Sequence, residues 1–135
     1  VVLELVIVPA LDHAGDGNTV LVHEGTYPEA IQFPPTAIAL QSINGPSSTI
    51  IQIDREPRGV EFFPDDDPQT PKIRSINGFT ISGAGQGIYC AAASPFIADC
   101  TLDSNDVGIV VRGGAPHIEQ SAFINNSAYG LYIDN

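Results

Sequence analysis

From about residue 76 onward the chain repeats itself every 21 positions, and no other feature limits its fold as strongly. Ile76, Ile97 and Ile118 are 21 apart, as are Phe79, Cys100 and Ser121, and again Ile81, Leu102 and Phe123. Pro95 and Pro116 keep the same step, while Gly87, Gly108 and Gly130 are spaced 21 and then 22, which marks one residue inserted in a turn. Within each unit the pattern is strand: GIYCAA, GIVVRG and GLYIDN place apolar residues two apart, and Gly, Pro, Asn and Ser fill the gaps. Units of this length stack as coils of a parallel β-solenoid, about 4.8 Å apart, each burying its apolar ladder only against its neighbours. In that register Val60, Ile88, Ile109 and Leu131 form one inward column, and Phe62, Cys90, Val111 and Ile133 the next.

The runs GIYCAAASPFIADCTLDSN and GIVVRGGAPHIEQSAFINN closely resemble the repeats of right-handed parallel β-helix proteins with the pectin-lyase-like fold. Upstream, DGNTVLVHEGTYPEAIQF and AIALQSINGPSSTIIQI resemble the opening coils of the same family, so the resemblance covers residues 16 to 135. It implies an all-β, right-handed parallel β-helix of about six coils, each of roughly 21–28 residues. Strands are expected near 19–23, 38–43, 60–63, 88–91, 109–112 and 131–134, opening or forming one face. For activity the resemblance says little, because the family spans lyases, hydrolases, adhesins and proteins without assigned chemistry. It also implies an extracellular or cell-surface setting.

One domain of 135 residues is expected, with residues 1–15 as an N-terminal strand or cap segment and 16–135 as the coils. Pro9 and the β-like run Val1 to Val8 argue against the amphipathic helix that caps the first coil in this family, of which only ALDHAG remains. The step from Gly59 to Gly87 is 28, seven more than the later period, and contains FFPDDDPQTP, so a solvated loop insertion is expected near 64–71. The sequence opens on Val1 and holds no Met, as expected of a processed product or a piece of a longer reading frame.

A net charge of -11, from sixteen acids against five Lys and Arg, repels phosphate backbones and excludes nucleic acid as a partner. The longest apolar run, Val1 to Ala10, is too short to span a bilayer and is broken by Glu4, so no membrane partner is expected.

Enzymes of the resembled fold use charged residues stacked at matching positions of successive coils, as Ca²⁺ ligands or as acid and base. Here the outward column reads Glu61, Tyr89, Val110 and Tyr132, and the next reads Ala91, Arg112 and Asp134, which is no catalytic constellation. Asp99, Asp103 and Asp106 share a coil, but Gln120, Ile124 and Ser127 replace them one period later, so they read as turn residues. Asp65, Asp66 and Asp67 read as a solvated acidic loop, and His13, His23 and His117 are scattered; no catalytic residue, metal site or cofactor is assigned. Tyr89 and Tyr132, two coils apart with Arg112 beside them, form a candidate carbohydrate-binding strip, since sugars stack on aromatic rings and hydrogen-bond to guanidinium. Cys90 and Cys100 are expected inward, as buried thiols or as a disulfide across the coil.

These observations describe a non-catalytic structural or carbohydrate-binding β-helix, with a polysaccharide lyase or glycoside hydrolase of the same fold as the alternative. Ile118, Phe123, Leu131 and Ile133 are the candidate oligomer interface, because they point toward the open C-terminal end, where an uncovered strand edge templates association. An end-to-end homodimer is the closed form of that contact.

Overall fold

The computed structural model describes residues 6–135. It is an all-β parallel solenoid with one short helix, α1 (Val8–His13), at its N-terminal end. The first coil comprises β1 (Thr19–Val22), β2 (Gly25–Tyr27) and β3 (Ile31–Gln32), and the second β4 (Ala39–Ser42), β5 (Thr49–Gln52) and β6 (Arg58–Phe62). β7 (Ser75–Asn77), β8 (Thr80–Ser82) and β9 (Gln86–Ala91) make the third; β10 (Phe96–Ala98), β11 (Thr101–Asp103) and β12 (Val107–Arg112) the fourth. β13 (His117–Glu119), β14 (Ala122–Ile124) and β15 (Tyr129–Asp134) complete the last. With the helical layer beneath these turns, the solenoid is about six coils deep.

Every strand pairs in parallel with its counterpart in the next coil, giving three five-stranded sheets: A (β1-β4-β7-β10-β13), B (β2-β5-β8-β11-β14) and C (β3-β6-β9-β12-β15). The expected columns are present: Val60, Ile88, Ile109 and Leu131 are in register, as are Phe62, Cys90, Val111 and Ile133. One expectation of alignment fails. The strands at 19–22 and 39–42 lie in sheet A, whereas those ending at Phe62, Ala91, Arg112 and Asp134 lie in sheet C.

The core is the stack of inward side chains. Val60, Phe62, Ile76, Ile81, Ile88, Ile97, Leu102 and Ile109 are wholly buried, and the rings of Phe33 and Phe62 stack with centroids 4.3 Å apart. The corners turn by left-handed residues that recur at the repeat period: Gly78, Asp99 and Gln120 between sheets A and B, and Gly83, Ser104 and Asn125 between B and C. At Gly83, φ is +85° and a Cβ would run into the carbonyl of Ile53, so only glycine fits there.

Within the N-terminal strand or cap segment, a short helix overlaps the ALDHAG pattern. Residues 1–5 of the expected strand lie outside the described residues, and Val8–His13 is helical, because proline is tolerated in a first helical turn. The Glu29 carboxylate accepts the N–H groups of Ile7 (2.7 Å) and Val8 (3.1 Å), supplying from across the fold a cap that the local sequence lacks. Ile7 and Leu11 then seal the N-terminal end of the core.

Between β6 and β7 the chain runs through a loop in which Asp66 and Asp67 are exposed and Asp65 is tied down. Arg74 is buried, pairs with Asp65 at 3.4 Å and donates to the Phe63 carbonyl at 2.7 Å. The Lys72 N–H donates to Asp65 (3.0 Å), and its Nζ reaches Asp16 of the first coil at 2.6 Å. Asp67 accepts from the Gln69 N–H and the Thr70 hydroxyl.

Candidate functional site

Two regions of the surface depart from plain solenoid. The first is the outer face of sheet C with the turns that border it. Arg58, at the start of β6, stands in register with Gln86 of β9. Its guanidinium lies 3.6 Å from the centroid of the Tyr89 ring, its Nε donates to Gln86 Oε1 at 3.2 Å, and its Nη1 is 3.5 Å from Glu61. A cation held over an aromatic ring and hydrogen-bonded to Gln86 and Glu61 is fixed in place. Beside it a cleft of about 630 Å³ is lined by Glu56, Pro57, Arg58, Glu61, Gln86 and Asp106, among others.

Two coils toward the C-terminus a looser version of the same grouping recurs. Arg112 pairs with Asp134 at 2.6 Å, its guanidinium carbon lies 6.0 Å from the centroid of Tyr132, and Tyr132 sits 5.7 Å from Tyr129. Tyr89 and Tyr132 do share a column, separated by Val110. Their environments differ, however: Tyr89 is only 8% exposed beneath Arg58, whereas Tyr132 is 37% exposed. Open aromatic surface on this face is therefore that of Tyr129 and Tyr132 rather than that of Tyr89.

Sequence reading missed Arg58, Glu56 and the cleft. The column comparison began at Val60, and a 28-residue step separates Arg58 from Gln86, so the 21-residue period does not reveal the pair. Glu56 and Asp106 come from turns between sheets B and C. Among the described residues no group of three or more His, Cys, Asp or Glu is placed to hold a metal ion. His117 lies 3.1 Å from Glu119 and against the ring of Phe96, away from the cleft residues.

The second region is the C-terminal coil. Ile97, Leu102, Ile109 and Val111 are buried, but the residues that continue their columns emerge: Ile118 is half-buried, while Phe123, Leu131 and Ile133 are exposed. Each lost its cover because no strand lies above it among the described residues.

Cys90 and Cys100 are both buried and free. Burial pushes the Cys90 thiol up to about 12 and the Cys100 thiol up to about 11. Cys100 Sγ lies 3.2 Å from the Ala98 carbonyl, as a weak donor to a backbone acceptor. Neither thiol is available as a nucleophile at neutral pH.

The chain matches no protein-family model, no curated protein and no solved structure.

Proposed function

We propose that this chain is a non-catalytic structural or carbohydrate-binding unit, a right-handed β-helix of the pectin-lyase-like kind. One observation carries the reading: Tyr129 and Tyr132 present exposed rings on sheet C beside the paired Arg112 and Asp134.

The arrangement on sheet C supports carbohydrate as a ligand of the same unit. Tyr132 and Tyr129 offer ring faces, Arg112 and Asp134 offer polar groups beside them, and the cleft at Arg58 and Glu61 prolongs the strip. Sugars are held by this combination of stacking and directed hydrogen bonds. Binding on a glycan array is expected to be lost in a Tyr132→Ala, Arg112→Ala double variant; binding unchanged by both substitutions removes the strip from consideration. The lyase or hydrolase alternative would draw on the cleft acids instead. Product formation from acidic or neutral polysaccharides that disappears in Arg58→Ala would replace the binding reading with a catalytic one.

A further inference from the structure

The tetrapeptide Ser-Ile-Asn-Gly occurs twice, as Ser42–Gly45 and as Ser75–Gly78, and the fold puts the two copies in different backbone settings. In the second copy Ser75, Ile76 and Asn77 form β7, between β4 and β10, with Asn77 in register with Gln41 and Ala98. The Gly78 N–H donates to the Ala98 carbonyl at 3.2 Å, and the Gly78 carbonyl accepts from the Ser42 hydroxyl. In the first copy only Ser42 belongs to a strand. The Ile43 N–H makes the last ladder bond, to the Val22 carbonyl at 2.9 Å, and Ile43 and Asn44 then lie exposed in a bend. Among the described residues Asn44 makes no hydrogen bond, and the Gly45 N–H has only the Ser42 hydroxyl, at 3.1 Å. Beyond Gly45 the chain is pinned again, by the Thr80 hydroxyl on the Pro46 carbonyl at 2.7 Å.

An asparagine followed by glycine can close on itself. The glycine nitrogen gives its proton to a base in the solvent and attacks the asparagine Cγ; the new C–N bond forms as the bond to the side-chain nitrogen breaks, and ammonia leaves. Water then opens the resulting succinimide at either carbonyl, giving aspartate or isoaspartate. One water is consumed, one ammonia is released, and nothing is oxidised or reduced. Glycine favours the attack because no Cβ shields its nitrogen. Closure turns the asparagine about its Cα–C bond, away from the extended value of a strand. At Asn77 that rotation breaks the bond to Ala98 and pulls β7 from between its neighbours, so the site reacts only when the ladder opens. At Asn44 it breaks one bond to a hydroxyl, beside a Gly45 at φ +85° with open space around it.

We infer that Asn44 is a site of spontaneous modification, converting to aspartate and isoaspartate in the folded chain, while Asn77 in the same tetrapeptide is protected by its strand. Both side chains are exposed, so accessibility does not separate them; the backbone does. Conversion adds a negative charge to a chain already at -11 and, as isoaspartate, lengthens the backbone of the turn between β4 and β5, outside every strand register.

The test incubates the whole chain at mildly alkaline pH, native and in urea, and follows both asparagines by peptide mapping with isoaspartyl methyltransferase labelling. In urea the two are expected to convert alike, since each precedes glycine. In the native chain Asn44 is expected to convert at close to that rate, and Asn77 slower by about tenfold or more. Asn44→Gln, with circular dichroism verifying the fold, is expected to lose the conversion at that position and leave Asn77 unchanged. An Asn44 amide that stays intact in the native chain overturns the inference, as do equal native rates at the two sites. Aspartate without isoaspartate at Asn44 also overturns it, because direct hydrolysis would then have replaced ring closure.

Discussion

Asn126 stands one coil above Asn105, and its Oδ1 accepts the Asn105 backbone N–H at 3.1 Å while its Nδ2 donates to the Leu102 carbonyl at 2.9 Å. Asn105 does the same one coil lower, accepting from Ala84 (3.0 Å) and donating to Ile81 (3.0 Å). The two amides close backbone groups that the bend between sheets B and C takes out of the strand ladders. Asn105 is buried, so Asn105→Ala strands those partners away from water and is expected to cost about 1–3 kcal/mol. Asn126 is half-buried, and Asn126→Ala is expected to cost less. Urea unfolding of the two variants checks the order; equal losses would show that the ladder contributes nothing beyond local turn preference.

The apolar columns set a second expectation. Ile109 is wholly buried between Ile88 and Leu131, so Ile109→Ala is expected to cost about 2–5 kcal/mol, while Ile133→Ala in the exposed terminal strand costs less in the monomer. Denaturation at low concentration, below any association, measures both. A near-zero effect at Ile109 would contradict the register.

How far these features were legible in the sequence depends on whether they repeat. Val60, Ile88, Ile109 and Leu131 could be aligned because each coil must present an apolar residue to the one below. The end-facing quartet Ile118, Phe123, Leu131 and Ile133 followed from the same columns. Arg58 and Tyr89 could not, since their contact spans a coil that carries the insertion and occurs once. Helix α1 showed only as the ALDHAG pattern, because the capping carboxylate of Glu29 lies 22 residues from Ile7. Asp66 and Asp67 are exposed, as consecutive aspartates usually are, but the hold on Asp65 was not legible because the buried guanidinium is nine residues away.

That ion pair carries its own expectation. Arg74 is buried with its Nε unpartnered, so Asp65 and the Phe63 carbonyl are what offset its desolvation. Removing the acid leaves a buried charge poorly compensated, and Asp65→Ala is expected to cost on the order of 3 kcal/mol. Adding Arg74→Met to Asp65→Ala should recover part of the loss. If the double variant is less stable than the single one, the pair is not what holds the loop.

Corner residues offer stabilisation instead. Gln120 adopts φ +48° at the position where Gly78 stands two coils below, and left-handed backbone costs a non-glycine residue about 1–2 kcal/mol. Gln120→Gly removes that cost but adds about 0.5–1 kcal/mol of chain entropy to the unfolded state. The net expectation is a gain of roughly 0.5–1 kcal/mol, read as a higher urea midpoint. A lower midpoint would mean that the Gln120 side chain contributes more than the backbone loses.

Alkaline pH probes the buried thiols. From an ordinary value of 9.0, burial holds Cys90 at about 12 and Cys100 at about 11 in the folded chain. Between pH 9 and 11 the unfolded chain has therefore lost thiol protons that the folded chain retains. Fewer bound protons in the unfolded state make the derivative of unfolding free energy with pH negative. Stability due to these groups is fully present below pH 9 and falls as pH rises, by up to about 1.4 kcal/mol per unit for each thiol. Tyr27, raised chiefly by burial, and Lys72, raised chiefly by its hydrogen bond to Asp16, add losses of the same sign at higher pH. The slope is isolated by a Cys90→Ala, Cys100→Ala double variant, whose baseline is lower but whose decline over pH 9–11 should be shallower. Urea midpoints across that range measure it. Parallel declines in the two proteins would mean that the thiols ionise as readily in the folded chain as in the unfolded one, and prompt alkylation of the native protein at pH 8 would say the same.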